Sequence, residues 1–225
     1  MENRYFTSVE MYQFDQFTIN EIGIPSSVLM ERAAHSVFIH IIQKVKSEDE
    51  ILIIAGTGNN GGDAVALARM LFLLDYQVKL YIISKENHSE EMKSQVKITQ
   101  NINLPMTFDF IEQEFDKATY LIEGIFGIGI SREIEGVNQS VIQKINEARR
   151  KQKTIVSLDI PSGLSSYTGE PFTTVIQADI TYTFGFKKNG MQTDIGKHLC
   201  GEIVLCDIGY PEKILAHHFG FHLDE

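Results

Sequence analysis

Apolar positions change their period repeatedly along this chain, and each change marks an element. Over residues 8–20 and 26–46 they recur every three to four positions, which predicts two helices. The second carries Val28, Leu29, Ala33, Val37 and Ile41 on one side, with Ser26 or Ser27 as its N-cap after Pro25. Short strand-like runs then follow at 51–55, 78–83, 119–123, 154–158, 180–184 and 202–206. Helical patterns fall between several of them, at 63–74, 89–100 and 137–150. The runs 51–55 and 154–158 are almost wholly apolar, as strands covered on both faces are. Strand alternating with helix predicts an α/β fold, a mainly parallel sheet in a three-layer α/β/α sandwich. Helices thin out in the last third, which predicts a partly antiparallel end to the sheet. No repeat, low-complexity tract or linker divides residues 1–225, so one domain is expected.

Ligands in such sheets bind beyond the carboxyl ends of the strands. Polar, glycine-containing segments fall there. The first is Gly56-Thr57-Gly58-Asn59-Asn60-Gly61-Gly62-Asp63, directly before an Ala/Leu-rich helical pattern. Glycines let a backbone turn tightly and approach a ligand, and a helix N-terminus presents N–H groups to an anion. The segment contains a literal GxGxxG. The dehydrogenase form of that motif needs an acid about 20 residues on, which Glu86 fits loosely, and Asp63 would oppose a pyrophosphate. No Gly-Lys-Ser/Thr follows, which excludes a Walker loop. The other segments run from Glu123 to Glu133, from Ser157 to Gly163 and from Thr183 to Gly190.

Charge narrows the classes. A formal net charge of −10 and a pI near 5.2 argue against a nucleic-acid or anionic-membrane binder. The two cysteines, Cys200 and Cys206, make no disulfide framework and suit a reducing compartment. The polar start at residues 1–4 is not a signal peptide, and no apolar run approaches the ~20 residues of a membrane span. A cytoplasmic protein is expected. His217, His218 and His222 are expected to be solvated, and the cysteines to pack as small hydrophobes.

Five segments in order carry a resemblance: Gly56 to Asp63, Phe126 to Gly129, Leu158 to Gly163, Asp179 to Phe184 with Lys188 and Gly190, and Asp207 to Pro211. Together with Leu29 to Ala33 they resemble the YjeF N-terminal domain family, the NAD(P)H-hydrate epimerases. The resemblance implies a Rossmann-like sandwich, often a homodimer, in a stand-alone form without a dehydratase domain. It implies a metabolite-repair isomerase. NADH or NADPH hydrated at C6 of the nicotinamide is interconverted between R and S forms, and a separate S-specific dehydratase then restores the cofactor. It places substrate contacts on Asn59, Asn60, Gly61, Gly62 and Asp63, on Gly127, Ile128, Gly129, Ile130, Ser131, Arg132 and Glu133, and on Asp159. A potassium ion would fall on Asn60, Glu123 and Ser162. The family's usual aspartate at 123 is glutamate here, long enough to reach the ion or displace it, and Ile128 replaces the usual threonine.

Asp159, at a strand's carboxyl end, is the candidate proton-transfer group; otherwise it caps a turn. Lys188 is its candidate catalytic partner, by spacing from Thr183 and Phe184, although Lys187 stands beside it. Two other classes fit these loops: a nicotinamide-dependent oxidoreductase and a non-catalytic nucleotide-binding or scaffold protein.

Overall fold

The structure, a computed structural model, describes residues 4–223. The polar start at residues 1–3 lies outside the described residues. Seven strands form one sheet: β2 (Glu50–Ala55), β3 (Gln77–Ile82), β4 (Met106–Thr107), β5 (Tyr120–Gly124), β6 (Thr154–Leu158), β7 (Ile180–Phe184) and β9 (Glu202–Cys206). Their order is β4-β3-β2-β5-β6-β7-β9. A second, two-stranded sheet pairs β1 (Tyr5–Phe6) with β8 (Lys187–Lys188).

The expected antiparallel end is not there. β7 runs parallel to both β6 and β9, as every paired strand of the large sheet does to its neighbours. The crossover from β7 to β9 uses a short helix that the apolar pattern hides, α7 (Asp194–Cys200), capped by Thr193. Gly196 sits in its middle because a Cβ there would overlap the Gly190 carbonyl oxygen. That glycine erases the helical period that would have revealed the crossover.

β2 explains why a buried parallel strand reads as continuous apolar sequence. Ile51, Ile53 and Ala55 face one core and Leu52 and Ile54 the other, and all five are buried. The first core is covered by α2 (Ser26–Ile41), α3 (Asn59–Phe72) and α4 (Glu90–Asn101), the second by α5 (Glu112–Lys117) and α6 (Gly136–Arg150). These are the three layers. No helix among the described residues is long and apolar enough to cross a membrane.

Two details of α2 differ from expectation. Its N-cap is Pro25, with no side-chain cap, and Ser26 Oγ hydrogen-bonds the Glu91 carboxylate instead. Leu29, Ala33, Val37 and Ile41 are buried, whereas Val28, one position off that stripe, is exposed. The helix α1 (Ser8–Asn20) opens on a capping box in which the Thr7 hydroxyl accepts from Glu10 N and Glu10 Oε2 from Thr7 N. It buries Met11, Phe14 and Thr18. Phe14 joins Phe6, Phe186, Phe219 and Phe221 in one aromatic cluster, with ring centroids about 5–6 Å apart. That cluster fixes α1 beside the carboxyl edge of the sheet. The last helix, α8 (Glu212–Phe219), follows β9.

α3 begins four residues before its apolar period does, so Asn59 to Asp63 form its first turn. Gly61 permits this start, because a Cβ there would overlap the Gly56 carbonyl oxygen. Gly61→Ala should therefore cost about 1–3 kcal/mol through overpacking, read as a lowered urea midpoint with an unchanged m-value.

Candidate active site

With all seven strands parallel, the segments after β2, β5, β6 and β7 emerge at one edge. The strand order reverses between β2 and β5, the place where open α/β sheets bind ligands. A cavity of about 720 Å³ lies there. Thr57 to Asn60 and Asp63 line it from the first segment, Ile125 to Arg132 from the second, Asp159 from the third, and Phe184 and Lys188 from the fourth. Thus Asn59, Asn60, Asp63, Gly127, Ile128, Gly129, Ile130, Ser131, Arg132, Asp159 and Lys188 come together. Gly61 and Gly62 are buried behind the wall. Glu133 turns aside to accept from Thr173 N at 2.8 Å.

Asp159 and Lys188 form the centre. Lys188 is only 1% exposed; its ammonium ion-pairs with Asp159 Oδ1 and donates to Thr183 Oγ1 and the Phe184 carbonyl, both at 2.9 Å. Lys187 instead lies over the Tyr5 ring, 5.9 Å from its centroid. Asp159 has φ +65°, a left-handed conformation that aspartate tolerates better than most residues and that costs free energy. Its N–H donates to the Tyr182 carbonyl at 2.7 Å, so the strained turn is anchored to β7. The strain aims the carboxylate over the strand end into the cavity rather than along the sheet.

α3 supplies the opposite electrostatic sign. No side chain caps it at Gly58, so its first-turn N–H groups open towards the cavity as an anion seat. Asp63, one turn further in, is 9% exposed. Burial first, then the neighbouring Asp159 and Asp15, push its carboxyl well above the ordinary value, so it does not cancel that seat.

Of the trio expected to hold potassium, Glu123 is already taken up by hydrogen bonds. Glu123 is fully buried, and its two oxygens receive four donors: Ser157 Oγ at 2.6 Å, Ser162 N at 3.0 Å, Ser162 Oγ at 2.6 Å and Ile125 N at 3.1 Å. Those bonds use all of the carboxylate's lone-pair directions. Asn60 does not touch it. The Asn60 amide nitrogen donates to the carbonyls of Phe126 and Leu158, both at 3.0 Å, and its buried Oδ1 has no partner. Glu123 ties β5 to β6 by itself.

Sequence reasoning missed Asp15 and Tyr210, which also line the cavity. Tyr210 Oη donates to Asp15 Oδ1 at 2.5 Å. The available signal was Asp15 itself, an acid one turn from Met11 and next to Phe14 on the buried stripe of α1. Cys200 and Cys206 are buried free thiols pushed up by burial to about 12 and about 11, so they are packing groups. His217, His218 and His222 are exposed, and His218 stacks on Phe17.

Asp15, Asp63 and Glu123 all have carboxyls raised chiefly by burial, from 3.8, 3.8 and 4.5. A raised carboxyl makes the folded state hold a proton that the unfolded chain releases. Its stabilising contribution is complete below the unfolded value and is lost as pH rises through the folded one. Asp63→Asn should therefore flatten the decline of Tm from about pH 4 upward, measured by calorimetry at matched ionic strength.

A family model described as YjeF-related protein N-terminus matches residues 26–190. Proteins named NAD(P)H-hydrate epimerase are similar over nearly the full length. That of Limosilactobacillus reuteri (strain ATCC 55730 / SD2112) is 39% identical, with 92% of this chain and 96% of the relative covered. That of Oenococcus oeni is 34% identical, with 94% and 100% covered. The crystal structure of the yeast protein YNL200c superposes with a TM-score of 0.82 at 21% identity, covering 99% of this chain and 96% of its own, and so shares the fold.

Proposed function

The chain belongs to the YjeF-related N-terminus family, and from that membership we propose that it is an NAD(P)H-hydrate epimerase, an isomerase acting on the hydrated nicotinamide of NADH or NADPH. The observation that carries the reading in this chain's own residues is the buried Asp159–Lys188 pair facing the cavity beside an uncapped helix N-terminus. The hydrated ring has a hydroxyl and a nitrogen on the same carbon, C6, so its configuration is lost whenever the C6–O or C6–N bond opens. Either route moves a proton at the C6 oxygen. Asp159 is the group that accepts or delivers it, and Lys188 orients the carboxylate. The N–H groups of α3 and the Gly127-to-Arg132 segment take the diphosphate and ribose. Holding the ring against Asp159 supplies part of the acceleration through positioning.

The product feeds a dehydratase specific for the S hydrate, and two buried cysteines without a disulfide fit an enzyme of the reducing cytoplasm. The test is incubation of mixed R and S hydrates with an S-specific dehydratase, with and without this protein. Conversion should stop at the S fraction without it and run to completion with it. Conversion that stops at the S fraction in both overturns the reading, and hydride transfer in place of epimerisation would make the protein an oxidoreductase.

A further inference from the structure

The R and S hydrates carry their hydroxyl on opposite faces of the ring, and one carboxylate on one face reaches only one of them. Asp159 rises from the sheet edge. A second cavity wall is α1, which presents Met11, Tyr12, Asp15 and Ile19. Neither Asp15 nor its partner Tyr210 lies in the segment that the family model matches. Resting on the epimerase reading, we propose that Asp15 is a second proton-handling catalytic residue, working on the ring face opposite Asp159, with Tyr210 as its positioning residue.

The geometry gives each oxygen of Asp15 a task. Oδ1 is occupied by the Tyr210 hydroxyl, so Oδ2 is the oxygen left to carry a proton to the substrate. Burial raises the Asp15 carboxyl, the Tyr210 bond lowers it, nearby Asp159 raises it and Lys188 lowers it. Asp63 faces it from α3 as a further acid. Burial and the Asp15 charge push the Tyr210 phenol well up, which keeps it a donor. Tyr210 is itself held by stacking on Phe186, ring centroids 5.8 Å apart.

In one direction the Asp15 acid gives its proton to the C6 hydroxyl. The C6–O bond breaks with its electron pair on oxygen, water leaves, and the ring-nitrogen lone pair forms a C6–N double bond. Water then adds from the other face, its oxygen bonding C6, the double-bond pair returning to nitrogen and its proton passing to the Asp159 carboxylate. The reverse direction exchanges the two roles.

Asp15→Asn retains an acceptor for Tyr210. It should keep the wild-type Tm at acid pH, where the wild-type carboxyl is protonated, lose about 100-fold or more in turnover, and lose the fall in kcat that the wild type shows as pH rises through the Asp15 value. Tyr210→Phe removes a bond that lowers Asp15 and should move that fall to higher pH. A protonated-carboxyl band in the infrared difference between wild type and Asp15→Asn, persisting above the ordinary aspartate range, should appear without substrate. Wild-type turnover in Asp15→Asn, or slowed turnover with the pH fall in place, overturns the proposal. A missing infrared band overturns the role of Asp15 alone, whereas a wild type that converts no R hydrate overturns the epimerase reading and this role with it.

Discussion

Asp159→Asn is expected to slow consumption of the R hydrate about 10²–10⁴-fold and to destabilise the fold by about 3–5 kcal/mol. The kinetic loss follows from removing the proton acceptor. The stability loss has a separate cause. Asparagine tolerates the left-handed backbone at this position, so the turn itself survives. Lys188 does not fare as well. Its ammonium keeps Thr183 Oγ1 and the Phe184 carbonyl but loses the one carboxylate bonded to it among the described residues, while remaining 1% exposed. A buried charge without its counter-ion is the costly state, whereas removing both charges is nearly neutral. Asp159→Asn combined with Lys188→Met should regain most of the lost stability and none of the activity. Denaturant midpoints and R-hydrate turnover on the same preparations check both halves. An unimpaired rate in the single variant removes Asp159 from the chemistry. A double variant no more stable than the single one removes the ion pair as the cause of the instability.

The second large effect belongs to Glu123. Glu123→Ala leaves the donors of Ser157, Ser162 and Ile125 facing a void, at about 1–3 kcal/mol for each one that finds no new partner. The summed loss should bring the protein close to its unfolding threshold, because whole domains are stable by only about 5–15 kcal/mol. Glu123→Gln keeps the side-chain shape and should cost less. Because the carboxylate is already saturated, wild-type turnover should not change when potassium replaces a bulky organic cation at fixed ionic strength. A potassium-dependent rate would show that an ion displaces one of these hydrogen bonds. Glu123→Asp, which shortens the tie, is the variant in which a potassium response should arise.

Strands were legible where burial on both faces makes sequence uniformly apolar. β6, β7 and β9 lie at the predicted residues, and β2 begins one residue early. The direction of the last strands was not legible, because the crossover to β9 runs through a seven-residue helix interrupted by Gly196. The chemistry-bearing loops could be read from glycine and polar residues following strands, and parallel pairing alone brings them to one edge. What sequence could not supply was side-chain partnership. Glu123 sits two residues from the cavity-lining Ile125 and Asn60 lines the cavity itself, yet the first is taken up by four hydrogen bonds and the amide nitrogen of the second bonds carbonyls. Asp15 shows in the sequence only as an acid on the stripe of α1, because its site partner, Tyr210, lies 195 residues away.

That separation governs when the pocket can exist. Parallel strands cannot be joined by tight turns, so each pairing in the large sheet waits for a long crossover, and such non-local pairings fold slowly. Here the two most distant parts of the architecture meet last. β1 pairs with β8, and α1 rests on aromatic rings at and just past the end of α8. During synthesis the strands β2 to β6 can assemble as they leave the ribosome, while α1 lacks part of its seat until Phe219 and Phe221 emerge. Ligand capture therefore waits on the segment that carries Tyr210, Phe219 and Phe221.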